Sequence, residues 1–182
     1  MSFKSTCEVT HVDEPLTFND LFAAIEQQIS ERLTGLETVA TWPEIGERTV
    51  VRLPALFLEL AEIEPGEDDG TGQTALVGKF EARVVVGSEQ HQPSHQAAQF
   101  VAQLAVLLRA QYWGLHGVGP AEFVQAVPDW TKPELDGYTV WLVEWTQALQ
   151  LGEEEWPWPD QSAAFLVFDE ADARINAAAD AP

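Results

Sequence analysis

The chain has 182 residues, enough for one domain with a real core, and 46% of them are hydrophobic, which excludes a disordered protein. Nine basic residues stand against 30 acidic ones, a net charge of −21, which argues against binding nucleic acid through its phosphates and against attraction to an anionic membrane. No run of 18 apolar residues occurs, Met1–Cys7 lacks the apolar stretch of a signal peptide, and the lone Cys7 excludes an internal disulfide and fits synthesis in the cytosol.

Residues 1–16 show no sustained period and read as a loose N-terminal arm. A helix is predicted over 17–34. Thr17 can cap it, Asp20 sits at the third helical position, and Leu16 can staple onto Leu21. Phe18, Leu21, Phe22, Ile25, Ile29 and Leu33 follow at helical spacing, with Gly35 as the C-terminal cap. Glu37–Trp42 is a short strand ended by Pro43. Thr49–Ile63 suits either period, but Thr49-Val50-Val51 and the apolar Leu56-Phe57-Leu58 favour a strand, with a bulge or edge at Pro54. Glu64–Thr74 is an acidic, glycine-rich flexible loop, and Ala75–Gly87 alternates clearly, so the two strands make an antiparallel hairpin. Ser94 caps a second helix over 95–112, whose narrow polar face suits a place across a sheet or between subunits. Ala121–Pro128 is another strand.

The longest alternation runs from the Asp136-Gly137 turn to Gly152. Trp141, Val143, Trp145, Leu149 and Leu151 share one face with Gln147 as its polar break; Tyr138, Val140 and Leu142 begin the other face, which turns polar at Glu144. At roughly 45–50 Å such a strand outruns the core of a small domain, so part of it is expected to serve a neighbouring subunit. Trp156 and Trp158 lie in an acidic stretch between prolines, and 159–182 reads as a tail extension of the domain at 17–158. The order α-β-β-β-α-β-β specifies an α+β domain: a mostly antiparallel sheet of four to five strands with two main helices packed on it.

No constellation with chemistry emerges. Gly70-Thr-Gly72-Gln-Thr-Ala75 matches a dinucleotide fingerprint, but an acidic loop precedes it and a strand follows where a helix is needed. His91 and His95 have the spacing of helical metal ligands, yet no third ligand completes them and Pro93 lies between. Glu67, Asp68 and Asp69 lack the spacing of a calcium loop and read as a solvated turn. His11 and His116 have no visible partner, and Cys7 lacks an activating base other than His11 nearby. The expectation is a non-enzyme without cofactor or metal. Trp141 and Trp145 are either core or an anchor between subunits.

The early amphipathic helix, the strand Leu53-Pro-Ala-Leu-Phe-Leu-Glu-Leu-Ala-Glu-Ile63, the strand after a polar loop, the helix at 95–112 and the late Trp145-Thr-Gln-Ala-Leu-Gln-Leu-Gly152 together give a pattern. Over roughly residues 17–156 it resembles the tail terminator proteins of tailed bacteriophages and prophages, including those of Mu-like contractile tails. That resemblance implies a virion protein made in the host cytoplasm. It would form a ring, commonly hexameric, that caps the last ring of tail tube protein, ends tube polymerisation and offers a surface to the neck or connector. It implies no catalytic residues and no cofactor. DNA would pass through the channel without specific binding, and no membrane is involved.

In a ring of such acidic subunits the few cations must count, so some of Arg48, Arg52, Lys79, Arg83 and Arg109 are expected to pair with carboxylates across the interface. Trp141, Trp145, Trp156 and Trp158 are the candidate anchors. Glu64, Glu67, Asp68 and Asp69 form the candidate partner or channel loop. Three alternatives stand beside this reading: another neck or head-closure part, a small acidic hydrolase with a carboxylate–His pocket, and a monomeric acidic adaptor.

Overall fold

The computed structural model describes residues 15–42 and 51–155. Among them the chain forms α1 (Phe18–Arg32), β1 (Thr38–Thr41), β2 (Ala55–Pro65), β3 (Thr74–Val86), α2 (Pro93–Leu108), β4 (Val118–Pro128) and β5 (Thr139–Leu151). The strands form one sheet in the order β1-β2-β3-β5-β4. The fold is α+β. All neighbours are antiparallel except β1, which runs parallel to β2 from Thr38 opposite Ala55 to Thr41 opposite Leu58.

Helix α1 starts as its sequence requires. The Thr17 hydroxyl accepts from the Asp20 amide at 3.2 Å, while Leu21, Ile25 and Ile29 turn fully into the core. Gly35 serves packing rather than capping. A Cβ there would come within 3.0 Å of the Phe100 ring, so its absence lets the end of α1 close on α2. Helix α2 differs from the expected 95–112 at both ends. It begins at Pro93 after Gln92 in a left-handed conformation, without a side-chain cap from Ser94. It ends at Leu108, after which Ala110, Trp113 and Gly114 all take positive φ.

The two helices cover one face of the sheet. Leu56, Leu58, Phe80, Val84, Val143, Trp145 and Leu149 meet Leu21, Ile25, Ile29, Ala97, Leu104 and Leu108 there. The Trp145 indole stacks on Phe80 at 5.4 Å and 14°. On the other face a smaller cluster, Ala55, Phe57, Val85 and Val140, is covered by Trp42, Val51, Leu53 and Leu135. Alternation along the strands assigns the two sets to opposite sides.

Three further expectations are corrected. Pro54 is not a bulge inside a strand: β2 begins after it, behind a cis Leu53–Pro54 peptide, and the register shift falls between Leu60 and Glu62. The loop at 64–74 is shorter than expected, because Glu64 and Pro65 still pair with Val77 and Leu76. β4 begins at Val118, three residues before the expected Ala121. The 13-residue β5 does not outrun its own domain. β3 pairs with it from Thr139 to Leu151, and β4 pairs with its other side from Trp141 to Leu149. The long strand is the interior of the sheet, and the ends of the sheet lie elsewhere.

Candidate assembly surface

On the face away from the helices, Glu59, Glu81 and Glu144 stand directly opposite one another across β2, β3 and β5. Like charges in that position repel. Arg83, one pleat along β3, resolves the conflict. Its Nη1 donates to Glu59 and its Nη2 to Glu81, both at 2.7 Å, and its Nε donates to Asp129 at 2.9 Å. Lys132 donates to Glu59 at 3.1 Å, Lys79 lies 3.5 Å from Glu144, and the Gln125 amide donates to Glu144. The Trp42 ring lies under both cations, 5.5 Å from the Arg83 carbon and 4.7 Å from the Lys132 nitrogen. Burial would pull the Arg83 pKa down, but the bonds and charges of Asp129 and Glu81 outweigh it and hold it above its usual value. Burial likewise pushes Asp129 up; hydrogen bonds from Thr131 and Arg83 outweigh that and hold its carboxyl below the usual range. Every ionised partner here is satisfied, so the cluster fastens the 129–132 segment and Trp42 to the sheet and presents no reactive group.

The remaining predicted residues divide three ways. Arg83 is buried and Trp145 has no exposed surface, so neither reaches another subunit. Arg83 pairs within its own chain, contrary to expectation, because alternation puts it against the Trp42 ring inside the sheet rather than at an edge. Trp141 is half-buried beside the main core. Arg52 and Arg109 are exposed and Lys79 is half-buried. Glu64, Glu67, Asp68 and Asp69 are exposed at the β2–β3 tip. Asp68 and Asp69 accept from the Gly70 and Thr71 amides at 2.8 and 3.1 Å. The Thr71 hydroxyl and amide hold the Asp69 carboxyl below its usual range. The tip is also tied to the end of β5, where the Gln73 amide donates to the Gly152 carbonyl and the Glu155 amide to the Thr71 carbonyl. It is thus a built turn, not the flexible loop expected. Arg48, Trp156 and Trp158, with the arm at 1–14 and the tail at 159–182, lie outside the described residues.

His91 and His95 line an open hollow with Gln90, Gln92, Gln96 and Gln99. Among the described residues no three His, Cys, Asp or Glu side chains gather to hold a metal. A second hollow, between the end of α1 and α2, is lined by Arg32, Leu33, Ala102, Gln103, Val106 and Leu107.

Sequence reading missed the most exposed apolar strip. β4 is an edge strand. Phe123 is 47% exposed, Val124 52% and Val127 38%; Trp130, just past its end, is 86% exposed. This exposed apolar surface is shared between the two faces: Phe123 stands on the helix-bearing side opposite Trp145, Val127 on the other side opposite Leu142. The signal is a tryptophan in what reads as a linker: Trp130 stands between Asp129 and Thr131, after Pro128 has ended the strand. A scan against protein-family models finds no match to this chain, and a search of curated proteins finds no similar sequence.

Proposed function

We propose that this protein is a structural virion subunit. Copies close into a ring, six as in the tail terminators whose pattern it resembles, on the head-proximal end of a phage tail tube. The ring ends tube growth and presents a face to the neck. The observation that carries this reading is the apolar edge of β4 and Trp130, left bare on a chain of net charge −21. A surface so charged favours solubility of the free subunit, and covering the apolar edge removes exposed hydrophobic area from water. An acidic ring also suits a channel through which DNA slides without adhering.

Six copies would carry about −126 charges, so the ring is stabilised by screening. Electron microscopy of the purified protein tests the reading: closed rings are expected, growing more abundant from 0.05 to 0.5 M salt. Solitary particles at both salt concentrations would overturn it.

A further inference from the structure

The sheet has two edges, and their geometry is complementary. β4 closes one side along its 11 residues. On the other side β1 has only four residues and stops opposite Leu58, with the Trp42 amide adding one more bond to the Leu58 carbonyl. Beyond it, among the described residues, the outer side of β2 from Leu60 to Pro65 has no neighbouring strand. The side chains of Trp42 and Val51 pack onto the open face.

Three features match these edges to each other. The first is direction: β2 runs opposite to β3, β3 to β5 and β5 to β4, so β4 runs opposite to β2. Rotation about an axis along the strands preserves direction, so β4 of one copy meets β2 of the next as an antiparallel pair. The second is level. Phe123 stands opposite Trp145, Trp145 opposite Phe80, and Phe80 opposite Leu60. Phe123 therefore sits at the height where the outer side of β2 opens, while Ala126 to Pro128 sit at the height of Leu58 to Leu56, where β1 lies. The third is face: Ile63, opposite Gly78, lies on the helix-bearing side, as does Phe123, and both are 47% exposed.

We propose that each copy lays β4 against β1 and the outer side of β2 of the next copy, so that the sheet continues from subunit to subunit. The occupant of the apolar edge is thus a second copy, in a heterologous contact that uses two different edges and closes a ring. This inference rests on the ring reading above. Phe123 then packs beside the neighbour's Leu60 and Ile63, adding apolar area toward the roughly 800 Å² per partner of a standard interface. The contact carries a built-in repulsion. Glu122 pairs through Thr146 and Lys79 to the level of Glu62, so the two carboxylates meet across the join. The bulge at Phe123/Gln125 and Pro120 keep β4 from extending pairing indefinitely.

Cross-linking with a short bismaleimide, in a Cys7→Ser background and with native mass measured alongside, tests the join. The paired variant Glu62→Cys/Glu122→Cys is expected to give a covalent ladder up to the ring, and either single variant none. Glu122→Lys is expected to lower the concentration of half-assembly about tenfold, and adding Glu62→Lys to cancel that gain. A Glu122→Cys chain that cross-links alone would show β4 meeting β4 and overturn the proposal. A ring with no ladder from the paired variant overturns the edge-to-edge join while leaving the ring reading standing. A monomer at 100 µM overturns both.

Discussion

All three kinds of nitrogen on the Arg83 guanidinium meet a carboxylate, and that fixes what its loss does. Arg83→Ala leaves Glu59, Glu81 and the buried Asp129 facing one another, a cost of about 3–5 kcal/mol that chemical denaturation of the variant should show. The same cluster sets an acid limit. Asp129 has its pKa lowered in the folded state from an ordinary 3.8, so its contribution is fully present above the ordinary carboxylate range and is lost as pH falls through the lowered value. Thermal unfolding from pH 7 to pH 3 should therefore fall less steeply for Asp129→Asn than for the parent, with the parent more stable at neutral pH. Gln147 teaches the complementary lesson. In sequence it is a polar break on an apolar face. In the fold its amide donates to the Gln111 and Gly119 carbonyls at 3.0 and 2.7 Å and its oxygen accepts from the Trp113 indole at 2.8 Å. Gln147→Leu strands those buried groups and should cost about 2–4 kcal/mol in the same denaturation assay. Nothing local in the sequence could show this, because Trp113 and Gly119 are brought to Gln147 only by the fold.

At the scale of elements, α1, the hairpin and β5 were legible because their periods and caps are local. Thr17 with Asp20 marks the start of α1, and Ala75–Gly87 alternates along nearly all of β3. What was not legible depends on partners. β1 is four residues long, and nothing in four residues states whether the neighbour runs parallel. The end of α2 depends on backbone turns at Ala110 and Trp113 that apolar spacing past Leu108 conceals. β5 looks overhanging from its length, but length alone cannot say that two strands flank it. The acidic tip reads as loose in sequence, yet Asp68, Asp69 and the ties to Gly152 and Glu155 build it. Deleting Glu67–Gly72 should leave the sheet intact, with far-ultraviolet circular dichroism unchanged, while yielding tails of abnormal length in complementation. Normal tails from that deletion would count against a partner role for the tip.

At the scale of the whole molecule, one of the four tryptophans that the sequence offers as an anchor is ruled out and another outside that set, Trp130, stands in the open. Trp145 is buried, while Trp130 stands 86% exposed beside the apolar edge. Strand length and hydrophobicity point to the centre of a sheet, whereas the proposed interface lies where the sheet ends. Sheet order, which decides this, is a property of long-range pairing. Everything proposed for function rests on that bare edge being covered by other copies of the chain. Native mass spectrometry of the purified protein in salt sufficient to screen its charge tests this most directly. The account predicts a closed oligomer, about 120 kDa for six chains of 20.1 kDa. A single species of 20.1 kDa at every concentration up to 100 µM would contradict it.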